Sequence, residues 1–312
     1  MHSTAPWQPS DIEDYKRFYS APADLSSLVS SDISQDFVAL WSDQAGCVSV
    51  PRHTTFVLVR GLFGGWMPGH FAAPCKRLRQ AGFSLHIANS NAAGTISDNA
   101  NLIGRDLERH IPSQHQIIFL CHSKGGLDTL AMLARFPHLM ARTSAIVLCQ
   151  TPRAGCPVLE SVLLNAFRSS YSSRIQAIRE RIASATISML RARAACLDLT
   201  GENLARWIAR LDAVPCPCPL ISVASWSQQP SAILDSQHGR MQQIWPGRAH
   251  DGLFLLESMI WPTGKQVLLA EIDHSQPTVG GAQFDHGRFW LALARLAIKN
   301  TLSNHSTPVT NK

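Results

Sequence analysis

One stretch of the 312-residue chain gathers the residues that nucleophilic chemistry needs. The apolar run Ile117-Ile118-Phe119-Leu120-Cys121 leads straight into His122-Ser123-Lys124-Gly125-Gly126-Leu127. A short continuous apolar run reads as a buried strand, and helical spacing follows over Gly126 to Phe136. A serine between the two sits in a tight strand–turn–helix, where small neighbours let the chain reverse and its hydroxyl stands clear of the sheet. The helix start behind it offers backbone N–H groups to a developing oxyanion. A serine hydroxyl is a poor nucleophile at neutral pH, so it needs an adjacent base; a histidine held by a carboxylate supplies one. The bland alternative is a serine that merely caps a helix. The strand before it and the acids and histidines downstream favour the nucleophile.

Such a serine needs a frame, and the chain supplies a rhythm of strands and helices. Strand-like runs fall at Thr55–Val59, Phe83–Ala88, Gln116–Cys121, Ser144–Cys149, Leu220–Ala224 and Gln266–Ala270. Helical spacing falls at Phe71–Gln80, Asn99–Leu107, Gly126–Phe136 and about Asp285–Lys299. Short apolar strands alternating with helices indicate a parallel sheet covered on both faces, an α/β fold. Residues 157–213 break the rhythm: they hold no strand-like run, but apolar faces at Leu159, Val162, Leu163, Ala166 and Phe167, at Ile175, Ile178 and Ile182, and at Leu204, Trp207, Ile208 and Leu211. They read as a helical insertion, rich in arginine at 168, 174, 179, 181, 191 and 193.

With these segments in view, the chain resembles the α/β-hydrolase superfamily, and within it bacterial lipases and esterase-like proteins. The elbow G-H-S-(Q/K)-G-G of that group is read here as Cys121-His122-Ser123-Lys124-Gly125-Gly126, with cysteine in place of the usual glycine. Val57 to Gly65 is similar to the strand and loop that carry the second oxyanion N–H, with Arg60 in place of the usual histidine. By that likeness Leu62 and Lys124 supply the two oxyanion N–H groups. Cys149 to Pro157 stands where the group has its post-strand turn. Ala249 to Phe254 resembles the segment bearing the triad acid, which maps to Asp251. Ile272-Asp273-His274-Ser275 resembles the segment bearing the triad histidine, which maps to His274.

In this fold the order along the chain is serine, acid, histidine. That order removes the histidines before Ser123 and His138. After Asp251 only His274, His286 and His305 follow. Asp235 and Asp273 are the rival acids, the second too close in sequence to His274 to be its usual partner. His286 is the rival base, although Asp285-His286 reads as the start of the last helix. The Lys124 side chain reads as solvated, and His122 as packing beside the elbow. The resemblance covers about residues 54–300. Within it lie a hydrolase core over 51–156 and 214–300 and a helical cap over 157–213; outside it, the polar, serine-rich residues 1–50 read as an N-terminal arm or a short pre-sheet segment, and 301–312 as a flexible tail.

Composition narrows the function classes. Apolar residues make up 45% and charged residues 16%, a globular balance. No apolar run approaches the ~18 residues of a membrane span, and no secretory leader is visible, so a cytoplasmic location is expected. The net charge is +6, yet the basic residues form no run; Lys76, Arg77 and Arg79 read as a solvated helix face, and no nucleic-acid partner is expected. The eight cysteines read as free thiols. Cys216 and Cys218 lack further ligands at zinc spacing, and Ser275, Gln276 and Pro277 replace the aspartate that holds a structural calcium in similar lipases. No metal and no cofactor are expected. The expected activity is ester hydrolysis by Ser123, His274 and Asp251 on a small or lipid-like ester. The alternatives are acyl transfer by the same triad, or a silent hydrolase-fold binding protein, for which Cys121 and Arg60 would speak.

Overall fold

A computed structural model describes Gln8 and residues 25–43, 48–164, 174–229, 231, 233–281 and 283–305. Six strands form one parallel sheet: β1 (Thr54–Val59), β2 (Ser84–Ile87), β3 (Gln116–His122), β4 (Thr143–Cys149), β5 (Leu220–Trp226) and β6 (Lys265–Ala270). Their spatial order is β2-β1-β3-β4-β5-β6, each neighbouring pair parallel. The apolar strands bury both faces because side chains alternate across a strand. Val57, Val59, Phe119, Cys121, Ile146 and Leu148 enter one core. Phe56, Leu58, Ile118, Leu120, Val147 and Cys149 enter the other.

Helices cover each face. The first core packs under α3 (Ile96–His110), α4 (Lys124–Arg135) and α9 (Gly201–Asp212). The second packs under α1 (Ser34–Trp41), α2 (Ala72–Gln80) and α12 (His286–His305). Between β4 and β5 lie α6 (Pro157–Leu164), α7 (Arg174–Met189), α8 (Arg193–Asp198) and α9. Among the described residues there are also α5 (Pro137–Met140), α10 (Asp235–Ile244) and α11 (Gln276–Val279). Ala166, Phe167 and Arg168 of the expected helical insertion lie outside the described residues, as do the side chains of Arg174, Ile175, Ile178 and Arg179. Arg181, Arg191 and Arg193 are exposed.

Two sequence expectations change. Helix α4 begins at Lys124, directly after the serine, rather than two residues later. The segment expected as an arm outside the core supplies part of it. Asp32 bridges to Gln266 of the edge strand β6, the N–H of Ile33 donates to the Gln266 carbonyl at 2.8 Å, and the Leu268 N–H donates to Ser34 Oγ at 2.9 Å. The chain thereby covers donors that an open sheet edge would leave unpaired. Helix α1 then drives Phe37, Leu40 and Trp41 into the second core, with the Phe37 ring edge-on to Phe289 at 5.6 Å. Short apolar patches in a polar stretch gave no periodicity strong enough to reveal this. At the other end α12 runs to His305, into the expected tail; residues 306–312 lie outside the described ones.

Phe37 is fully buried. Phe37→Ala is therefore expected to destabilise the protein by about 3–5 kcal/mol through lost transfer energy and a cavity. Urea unfolding followed by fluorescence measures it; a change below about 0.5 kcal/mol would return this helix to the status of a detachable arm.

Candidate active site

The strand order reverses direction at β1, with β2 on one side and β3 on the other. At such a switch point the loops leaving adjacent strands diverge and open a crevice at the strands' C-terminal ends. The loop after β1 and the turn after β3 are the two segments that carry Leu62 and Ser123.

Ser123 adopts φ 55° and ψ −133°, a backbone conformation that costs an L-residue energy. Neighbouring groups hold it there. Its N–H donates to the Cys149 carbonyl at 2.8 Å, and its own carbonyl accepts from Thr151 Oγ1 at 2.9 Å and from the Gly126 N–H at 3.0 Å. Two glycines permit the approach of the chains. A Cβ on Gly125 would lie 2.6 Å from the Arg60 carbonyl oxygen, and one on Gly61 would lie 2.9 Å from Ser123 Cβ. The loop after β1 is thus pressed against the elbow, with Leu62 beside Ser123 in the wall of the same cavity. Lys124 opens α4, so its N–H is one of the donors that a helix start leaves without an intrahelical acceptor.

The structure brings three of the sequence candidates into one hydrogen-bonded chain. Ser123 Oγ lies 2.8 Å from His274 Nε2, and His274 Nδ1 lies 2.7 Å from Asp251 Oδ2. With Nδ1 facing a carboxylate, the ring proton sits there and Nε2 accepts from the serine hydroxyl. Asp251 is fully buried, and its other oxygen accepts from the N–H groups of Leu253 at 3.0 Å and Phe254 at 2.9 Å. The His274 N–H donates to the Asp251 carbonyl at 2.8 Å, fixing the two loops to each other.

The rival residues are elsewhere engaged. Asp273 accepts from the N–H groups of Ser275 at 2.8 Å and Gln276 at 3.0 Å, and from that of Ser231 at 2.6 Å, so it shapes the loop that presents His274. Asp235 is exposed at the start of α10, and His286 opens α12. His305 ends α12.

The surroundings of the elbow go beyond the sequence reading. His122 donates from Nε2 to Gln150 Oε1 and to the His274 carbonyl, both at 3.0 Å, and Gln150 donates in turn to Ser225 Oγ at 2.7 Å and the Asp273 carbonyl at 2.9 Å. This network supports the His274 loop from behind. Burial, with His274 and His70 nearby, holds the His122 ring well below the ordinary imidazole range. Burial, with Arg60 and His286 nearby, brings His70 down to about 4. Lys124 is not solvated: it is 1% exposed and its Nζ lies 2.6 Å from Asp128 Oδ1, while Asn99 Nδ2 donates to Asp128 Oδ2 at 2.8 Å. Burial pushes the Asp128 carboxyl up to about 6 against the pull of the ammonium. The i, i+4 spacing of Lys124 and Asp128 was the available signal. Cys121 tucks its Sγ 3.3 Å from Thr129 Oγ1 under α4, and burial pushes its thiol up to about 12, so it is no competing nucleophile.

Above the serine lies a cavity of about 330 Å³. Its wall is mostly apolar, with Phe63 from the loop after β1, Leu159 and Val162 from α6, Ile187 from α7, and Phe254 beside Asp251. Leu234 reaches it from the loop before α10, a contribution no local sequence pattern announces.

Lys124→Met leaves the Asp128 carboxylate buried without its cation, and a loss of about 3–5 kcal/mol in urea unfolding is expected; an unchanged midpoint would contradict the pairing. Burial and His238 also hold His250 at about 4 instead of 6.5. Between these values the unfolded chain binds the extra proton and the folded chain does not, so acid favours unfolding. The stability of wild type relative to His250→Asn is expected to fall as pH drops from 6.5 to 4. A pH-independent difference in urea midpoints would contradict this.

No protein-family model matches the chain, and no curated protein matches it. Solved structures do. The metagenomic carboxyl esterase MGS0156 aligns with TM-score 0.66 at 18% identity, over 93% of this chain and 99% of that one. The mature Bacillus licheniformis lipase BlEst2 aligns with TM-score 0.59 at 14% identity, over 80% and 93%. EstA from Clostridium botulinum aligns with TM-score 0.57 at 12% identity, over 95% and 96%. At such identities the likeness speaks for the architecture of nearly the whole chain, and this chain has the α/β-hydrolase fold that esterases and lipases share.

Proposed function

We propose that the protein is a serine hydrolase that cleaves carboxylic esters through an acyl-enzyme. The observation that carries this reading is the chain Ser123 Oγ–His274 Nε2–Asp251, at 2.8 and 2.7 Å, on a strained turn facing an apolar cavity. Ser123 Oγ attacks the ester carbonyl as its proton passes to His274 Nε2. Asp251 keeps the ring oriented and offsets the imidazolium charge. The carbonyl oxygen becomes an oxyanion and takes hydrogen bonds from the N–H groups of Leu62 and Lys124. Collapse of the tetrahedral adduct breaks the bond to the alcohol oxygen, which receives the proton from Nε2. Water then attacks the acyl-serine, giving its proton to Nε2, and the carboxylic acid leaves as Ser123 is restored.

Residues 157–213 act in this reading as a cap on the core of 51–156 and 214–300. Leu159, Val162 and Ile187 place their side chains in the cavity wall, which suits an acyl chain or another apolar group. Asp198 ties the cap to the core: its carboxylate accepts from the Ile96 N–H at 2.7 Å, while Trp207 Nε1, within the cap, donates to its other oxygen at 3.3 Å. Arg181, Arg191 and Arg193 are exposed, and among the described residues none that lines the cavity is Lys, Arg, Asp or Glu.

A series of p-nitrophenyl esters from acetate to palmitate tests this. Each methylene buried in the cavity contributes up to about 0.8 kcal/mol, so kcat/KM is expected to rise by as much as about fourfold per methylene until the cavity is filled. Ser123→Ala is expected to lower kcat by at least ~10⁴-fold with the fold intact by circular dichroism. Hydrolysis retained by that variant, or absent from wild type on every ester, would overturn the reading.

A further inference from the structure

A second cluster of reactive side chains lies at the edge of the sheet, apart from the serine. His86 is on the edge strand β2, and Asp106 and His110 are one turn apart on α3. Asp106 Oδ2 lies 2.6 Å from His86 Nε2, and Oδ1 lies 2.8 Å from His110 Nδ1. The two rings are nearly parallel, with centroids 5.6 Å apart and planes at 25°. One ligand atom from each residue lies within 4.8 Å of the other two, and among the described residues no other trio of His, Cys, Asp and Glu side chains does this.

The carboxylate is fixed before any ion arrives. Asp106 is only 8% exposed at its side chain, and its Oδ2 also accepts from the Asn89 N–H at 2.9 Å. His110 is 51% exposed, so the open side of the cluster faces solvent. His110 Nδ1 also lies 2.9 Å from the Asp106 carbonyl, so its ring must swing outward slightly to serve as a ligand. Two imidazoles and one carboxylate form a mixed nitrogen and oxygen set. Calcium and magnesium favour all-oxygen shells, whereas Zn²⁺ and its first-row neighbours favour imidazole with a carboxylate and complete their shell with water.

We propose that His86, Asp106 and His110 form a binding site for a first-row divalent cation of the Zn²⁺ type, clipping β2 and the loop after it to α3. Each ring nitrogen now turned toward Asp106 becomes the ligand atom; the proton it donates to the carboxylate leaves it on metal binding, and the neutral ring then carries its proton on the other nitrogen, exchanged through solvent. Ligand bonds of about 2.0–2.2 Å in a tetrahedral shell set neighbouring ligand atoms about 3.3 Å apart, so the nitrogen–oxygen pairs now hydrogen-bonded at 2.6 and 2.8 Å must open by about half an ångström to admit the ion. The site is structural and stands apart from the ester chemistry, which needs no metal. The expectation of a metal-free chain rested on the segment after His274 and on the isolated Cys216 and Cys218. His86 and Asp106 are twenty residues apart in sequence, and only the pairing of β2 beside β1 and α3 closes that gap.

Titration of the chelator-treated full chain with ZnCl₂, followed by calorimetry and thermal unfolding, tests the site. A single saturable equivalent and a raised Tm are expected, with no effect from MgCl₂ or CaCl₂. Loading with Co²⁺ is expected to give visible absorption bands of a low-symmetry nitrogen and oxygen site. The single variant His110→Gln, at an exposed position, is expected to weaken binding roughly tenfold or more, and His86→Gln/His110→Gln to abolish the bands. Ester hydrolysis is expected to be the same in these variants as in wild type. Absence of a saturable equivalent would overturn the proposal. So would zinc binding that survives the double variant, and loss of binding in Cys216→Ser/Cys218→Ser with the histidines intact.

Discussion

The structure depends on one strained residue. Ser123 is held with φ at 55°, at the point where a strand buried from Ile117 onward turns into a helix. Such a conformation costs on the order of 1–3 kcal/mol and persists only where the surroundings over-determine it. Here β4 does so through the Cys149 carbonyl and the Thr151 hydroxyl, and the loop after β1 does so by packing its backbone against Gly125. The same constraint that aims the hydroxyl outward therefore brings three strands' C-terminal ends together. The neighbouring loops, from β5 and β6, then need only present Asp251 and His274 across a short gap.

The order of strands makes that economical. Because β1 is flanked by β2 on one side and β3 on the other, the crevice opens where the elbow stands, without any special insertion. Helices between β4 and β5 contribute apolar side chains, among them Leu159, Val162 and Ile187, to the cavity wall. Behind the site lies a polar layer instead: His122, Gln150, Ser225 and Asp273 form a buried network in which nearly every group has a partner. Satisfied buried networks of this sort fix geometry rather than add much stability.

Much of this was legible in the chain, for identifiable reasons. The central strands are continuous apolar runs between turn residues, so their places could be read to within about two residues. Ser123, Asp251 and His274 stood in local patterns that the fold then brought within hydrogen-bonding distance. What escaped reading was non-local or weakly periodic. Helix α1 has eight residues and borrows its stability from Phe289 and β6. The Lys124 side chain looked solvated because lysine nearly always is; the i, i+4 spacing pointed to Asp128, but the fold shows that this carboxylate is buried, with Asn99 donating to its other oxygen. Cys121 looked like a defect in the elbow, yet its sulfur fills a place beside Thr129 that a glycine would leave empty.

The central claim is that the Ser123 hydroxyl is a nucleophile activated by His274. Covalent labelling addresses it without any assumption about the substrate. The folded protein is incubated with a fluorophosphonate, digested, and its peptides are mapped by mass spectrometry. A single phosphonyl adduct on Ser123 is expected, formed at least ~100-fold more slowly in His274→Ala, where the serine has lost its base. An adduct on another residue, or labelling at Ser123 that is unaffected by removal of His274, would contradict it.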